Sequence, residues 1–117
     1  MPHTVLIVDD HEGYRSAARA LLEAEGYEVV GESATGQEAL EKTQTLQPEV
    51  VLLDIGLPDI DGVEVAGRLT ANDQAPTVVL TSSRDGIGCE NIFRRCGARG
   101  FIPKSELSGD AIAALAA

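Results

Sequence analysis

Val50-Val51-Leu52-Leu53-Asp54 is a run of four branched apolar residues that stops on a carboxylate. Continuous rather than alternating hydrophobicity marks a strand covered on both faces, the habit of parallel sheets. Val5-Leu6-Ile7-Val8 has the same form and is followed by Asp9-Asp10. Three further runs are Val29-Val30, Val78-Val79-Leu80 and Phe101-Ile102. Consecutive runs start about 21–28 residues apart, the length of a crossover helix with two short loops.

Helical patterns fill the intervals. Tyr14, Ala17, Ala18, Leu21 and Leu22 make an amphipathic stripe that Gly26 closes. Thr35 is placed to cap a second helix, with Glu38 completing a capping box and Pro48 beyond its end. Its inner face is expected to hold Ala39, Leu40, Thr43 and Leu46. Asp61 is placed to cap a third helix that buries Val63, Ala66 and Leu69. A fourth carries Ile92, Phe93 and Cys96 and ends near Gly97; a short fifth carries Ala111, Ile112 and Leu115. Five β-α units with right-handed crossovers predict an α/β fold, the flavodoxin-like (βα)5 doubly wound parallel sheet. The expected strand order is 2-1-3-4-5, with a ligand site beyond the carboxyl ends at the switch between strands one and three. Pro103 suits the fifth strand, which is an edge.

The chain has 117 residues, one domain's worth, and leaves no room for a second module beside this core. Its 19 acidic and 9 basic side chains give a net charge of −10, which repels phosphate backbones and anionic membrane surfaces. No direct nucleic-acid binding by this domain and no membrane contact are therefore expected. The amino terminus lacks a basic and apolar leader, and no apolar stretch is long enough to span a bilayer. If Cys89 and Cys96 lie on one helix, a spacing of seven residues puts their Cα atoms about 10 Å apart, too far for a disulfide. They read as small apolar residues in a reducing, cytoplasmic setting. No His/Cys spacing suggests zinc.

On the expected fold, Asp9, Asp10 and Asp54 meet at the switch point. Each close pair of carboxylates costs about 4 kcal/mol at 4 Å with an effective dielectric of about 20, a repulsion that calls for a counter-cation. Hard oxygen ligands suit Mg2+ or Mn2+. Thr81 and Ser82 end the fourth strand with hydroxyl donors, and Lys104 follows the fifth with a cation. Three acids, a hydroxyl and a lysine around a divalent ion describe a phosphoryl site, with Asp54 as nucleophile forming an aspartyl phosphate. Each residue alone has an ordinary reading: a helix cap for Asp9 or Asp10, a loop acid for Asp54, a turn hydroxyl for Thr81, a solvated charge for Lys104. Their joint placement at four strand ends is what makes a site.

Asp9-Asp10, the segment Asp54-Ile55-Gly56-Leu57-Pro58-Asp59-Ile60-Asp61-Gly62, Thr81-Ser82 and Phe101-Ile102-Pro103-Lys104 together resemble the receiver domain of a two-component response regulator. The likeness covers nearly all of residues 1–117. Asp10-His11 and the run Gly100 to Ser105 resemble the subgroup with a helix-turn-helix (LuxR/NarL-type) output domain. The resemblance implies that Asp54 accepts a phosphoryl group from a sensor histidine kinase. It implies Mg2+ held directly by Asp10, Asp54 and the backbone carbonyl of Gly56, and by Asp9 directly or through water, with Lys104 and Thr81 on the phosphoryl group. It also implies a switch in which Thr81 swings inward and Phe101 follows. The output domain would lie outside this chain, whose thin ending at Ala113 to Ala117 suggests a piece of a longer protein; a homodimer is compatible with the family.

Two positions depart from the common pattern. Ser105 stands after Lys104, where many members have a proline joined by a cis bond, and Pro103 stands before it. Gly56 and Ser83 occupy the two positions that tune water access to the phosphoryl group. Asp85-Gly86-Ile87-Gly88 puts two glycines at the start of the fourth helix, each costing about 1 kcal/mol if helical, which predicts a malleable loop suited to switching. Arg94, Arg95 and Arg99 are a basic cluster for solvent or for an acidic partner face. Among other functions, an aspartyl phosphatase would need an acid where His11 stands. A flavin module would need a Ser/Thr/Gly-rich loop where Asp9-Asp10-His11-Glu12 stands. A degenerate receiver, acting only as a protein-binding module, is the alternative to the phosphorylated switch.

Overall fold

The computed structural model describes residues 3–60, 62–71, 75–82 and 97–116. Five strands form one parallel sheet in the order β2-β1-β3-β4-β5. They are β1 (Thr4–Val8), β2 (Glu28–Ser33), β3 (Val50–Asp54), β4 (Thr77–Ser82) and β5 (Gly100–Pro103). The described helices are α1 (Glu12–Ala24), α2 (Gly36–Leu46), α3 (Gly62–Leu69) and α4 (Gly109–Ala116), with a 3-10 turn at Lys104–Glu106. The helix expected around Ile92, Phe93 and Cys96 lies outside the described residues. So do Asp61, Ser83, the Asp85 to Gly88 loop, Cys89, Arg94 and Arg95.

Alternation along the strands divides the core into two layers. Leu6, Val8, Val51, Leu53, Val78 and Leu80 pack on the face covered by α2 and α3. Val5, Ile7, Val50, Leu52, Val79 and Ile102 pack on the other, under α1 and α4. Nearly all are shielded from water, as a doubly covered sheet requires, and each buried Val, Leu or Ile contributes about 1.5–3 kcal/mol. Pro103 ends the edge strand β5, as expected of a residue without a ladder N–H.

Helix ends follow the sequence closely. Gly26 has φ +95, and the N–H groups of Gly26 and Tyr27 donate back to Glu23 and Leu22, a Schellman closure of α1. Thr35 Oγ1 accepts the Glu38 N–H at 3.1 Å. Asp59, from the loop after β3, accepts two more amide groups of α2, from Gly36 at 2.8 Å and Gln37 at 3.0 Å. These donors, Gly36 first, hold the exposed Asp59 carboxyl below its ordinary range.

Three packing expectations need correction. Ala17 is exposed, and the inner stripe of α1 is Tyr14, Ala18, Leu21 and Leu22. Leu46, at the last turn of α2, is 40% exposed, with its Cδ1 lying over Gly31 of β2. On α3 the fully buried valine is Val65, while Val63 is half-buried at the rim. The phase of α3 is set by Gly62, whose N–H donates to the Ile55 carbonyl. A Cβ there would stand 2.6 Å from the Asp54 carbonyl oxygen and 2.5 Å from the Ile55 Cα, so only glycine lets the helix start this close to the end of β3.

Candidate functional site

The site lies where β1, β3, β4 and β5 end. In register, Val8 pairs with Leu53, Asp54 with Thr81, and Thr81 with Ile102, so Asp9, Asp54, Thr81 and Lys104 leave neighbouring strands at one level. Asp9 and Asp54 are only 1% and 5% exposed, and Thr81 and Ser82 are buried beside them. Asp10 stands at the mouth, a third of its side chain exposed.

Lys104 is the counter-cation of this group. Its Nζ lies 2.5 Å from Asp9 Oδ2 and 3.6 Å from Asp54 Oδ2. The closer contact is ionic without the directed geometry of a hydrogen bond: among the described residues, Asp9 Oδ2 is buried and accepts none. The ammonium also sits 4.5 Å from the centre of the Tyr14 ring, a cation–π contact that holds it over the acids. Burial, then the charges of Asp9 and Asp54, push the Tyr14 phenol up to about 12, so it stays neutral. The Asp54 carboxyl is raised too, chiefly by burial and further by Asp9 and Asp10. The Gly56 N–H, 3.1 Å from Asp54 Oδ1, and the Lys104 ammonium draw it back.

The expected site residues therefore lie together: Lys104 contacts Asp9 and Asp54, His11 contacts Asp9 and Asp10, Thr81 pairs with Asp54 in the sheet register, and the Gly56 N–H reaches Asp54. The Lys104–Ser105 bond is trans. Phe101 is half-buried against the α2/α3 layer and pairs with Leu80. The ordinary cap reading of Asp9 and Asp10 fails, because the N-cap of α1 is His11. Asp9 Oδ1 accepts the His11 backbone N–H at 2.9 Å and thereby fixes the turn into the helix.

Two neighbours were not read from the sequence as site residues. His11 Nδ1 lies 3.0 Å from Asp9 Oδ1 and 3.0 Å from Asp10 Oδ1. One ligand atom each from Asp9, Asp10, His11 and Asp54 falls within 4.8 Å of the others. Arg15 donates to the Asp9 backbone carbonyl at 2.7 Å and to Glu32 at 3.1 Å, and Arg19 donates to Glu32 at 2.9 Å. The Arg19 and Arg15 hydrogen bonds hold the Glu32 carboxyl below its ordinary range. That cluster ties α1 to β2 and fixes the backbone from which Asp9 projects. The signal for His11 was its place directly after the acid pair; Arg15 and Glu32 are far apart in the chain and carried none.

A half-buried lysine between two buried carboxylates at the ends of parallel strands defines the class. The chain belongs to the response regulator receiver domain family, which matches residues 5–116. It is 36% identical over 117 residues to the transcriptional regulatory protein PdtaR of Mycobacterium tuberculosis, covering 98% of this chain and 56% of that one. It is 38% identical over 113 residues to the positive alginate biosynthesis regulatory protein of Pseudomonas aeruginosa, covering 95% and 45%. The chain thus spans about half the length of the curated relatives it matches. Among solved structures, a LuxR-family two-component response regulator from Aurantimonas superposes with a TM-score of 0.88 at 28% identity, covering 99% of this chain and 86% of that one. Among the described residues, no helix is long and apolar enough to cross a membrane.

Proposed function

We propose that the domain is a phosphorylation-activated switch whose phosphoacceptor is Asp54. A carboxylate oxygen of Asp54 attacks phosphorus on the phosphohistidine of a sensor kinase. The P–N bond breaks, and its electron pair stays on the kinase imidazole. Asp54, half neutralised by Lys104 and Gly56, is buried enough to exclude bulk water from the new acyl phosphate. Lys104 then exchanges part of its pairing with Asp9 for the phosphoryl oxygens, and Thr81, beside Asp54 in the sheet, supplies a hydroxyl donor. Inward movement of Thr81 and Phe101 would pass the change to the output.

Asp9, Asp10, Asp54 and the Gly56 carbonyl would hold Mg2+ or Mn2+. The donor set, carboxylate oxygens within 4.8 Å of one another and a nearby backbone carbonyl, fits a hard cation. When bound, the ion neutralises the phosphoryl oxygens. On this reading the domain assists its own phosphoryl transfer and hydrolysis but turns over no separate substrate. It acts in the cytoplasm as residues 1–117 of a longer protein, with an output domain outside the chain that controls transcription, a reading supported by the transcriptional-regulator names of its relatives.

The convergence of Asp9, Asp54 and Lys104 carries the reading. Incubation with Mg2+ and acetyl phosphate should add one phosphoryl group by intact mass, and Asp54→Asn should abolish the gain. No gain with any donor would favour the degenerate, binding-only module.

A further inference from the structure

His11 brings a chelating ring nitrogen to the acids of the site. Its side chain is 70% exposed, makes no capping bond to α1, and yet directs Nδ1 to 3.0 Å from both Asp9 Oδ1 and Asp10 Oδ1. With the ring proton on Nδ1, His11 donates to Asp9 Oδ1 at 3.0 Å; with the proton on the exposed Nε2, the Nδ1 lone pair faces both carboxylates and can share a cation with them. One ring nitrogen of His11 and one carboxylate oxygen from each of Asp9, Asp10 and Asp54 all lie within 4.8 Å of one another, the spacing of groups around one ion.

We propose that His11 is an additional metal ligand through Nδ1, and that it shifts the preference of the site from Mg2+ toward first-row transition ions such as Mn2+. Mg2+ demands near-ideal octahedral oxygen coordination, whereas an imidazole nitrogen suits the transition ions, so nitrogen in the set favours Mn2+. The inference rests on the metal-dependent reading above and deepens it, since it names the residue that sets the choice of ion.

Pulsed EPR of Mn2+ bound to the full chain tests this directly. Nitrogen-14 modulation from a coordinated imidazole is expected in the wild type and in His3→Phe, and its loss is expected in His11→Phe. Calorimetry should then show Mn2+ affinity falling by roughly tenfold in His11→Phe while Mg2+ affinity changes by less than about twofold. His11→Phe replaces an exposed ring without a capping bond, so its fold is expected to hold. Bound Mn2+ without nitrogen modulation, or equal losses for both ions, overturns the role of His11 and leaves the oxygen site standing. Failure of the wild type to bind either ion overturns the metal reading as well.

Discussion

At the scale of single residues, the site is held in a costly state. Asp54 is buried, and burial raises its carboxyl above the ordinary range. A folded-state value above the unfolded one means that the folded chain binds the proton more tightly. Stability therefore falls as pH rises from the usual carboxylate range through the raised value, and the loss persists at neutral pH. Asp54→Asn removes that titration. Without divalent ions, the variant should unfold at a higher temperature than the wild type at neutral pH and show a flatter pH profile across the acid range; an unchanged profile would show that Asp54 carries no such strain. Gly62 is the other residue on which the site turns. Gly62→Ala puts a Cβ against the Asp54 carbonyl and the Ile55 Cα. Urea titration should show a loss of about 1–3 kcal/mol, with weaker Mg2+ binding as the end of β3 is displaced.

Among the elements, α2 has the most clearly divided ends. Its amino end is anchored twice, by Thr35 from within and by Asp59 from the loop after β3. Thr35→Ala should cost about 1 kcal/mol in urea unfolding. Only the first anchor was legible in the sequence, as a capping box; the second joins residues more than twenty positions apart and leaves no local pattern. The same division runs through the molecule. Strands were legible because their apolar runs are continuous and both faces are covered. Helix phases were less so: Val63 and Val65 are both apolar, and the contact of Gly62 with Ile55 decides which is buried. Ala17 and Leu46 fit the apolar period yet are exposed, which the period alone does not reveal. Asp9, Asp10, Asp54, Thr81 and Lys104 were legible because each directly follows or ends a strand run. His11 and Arg15 were not, because their roles depend on side-chain direction.

Over the whole molecule, the net charge of −10 has two parts. Most of the carboxylates face water, several in pairs one turn apart with arginine or lysine, such as Glu38 with Lys42 and Glu64 with Arg68. Such exposed pairs contribute little, about 0.3–0.5 kcal/mol each. The remainder is the pocket, where Lys104 balances only part of the charge of Asp9, Asp10 and Asp54. An ion that binds the folded chain alone stabilises it by mass action, by about 2.7 kcal/mol at a hundred times its dissociation constant. For a domain of this size that corresponds to a rise of about 10 °C in melting temperature, measurable by differential scanning calorimetry with and without Mg2+. The rise should vanish in a variant carrying Asp9→Asn and Asp10→Asn. An equal rise in that variant would place the ion elsewhere.

The central claim is that Asp54, of all the acids, receives the phosphoryl group. An acyl phosphate is reduced by borohydride to an alcohol, which turns an aspartyl phosphate into homoserine. After incubation with acetyl phosphate and Mg2+, reduction and tandem mass spectrometry should find homoserine at position 54 and at no other aspartate. Homoserine at position 9 or 10, or none in a protein that has gained a phosphoryl group, would contradict the account.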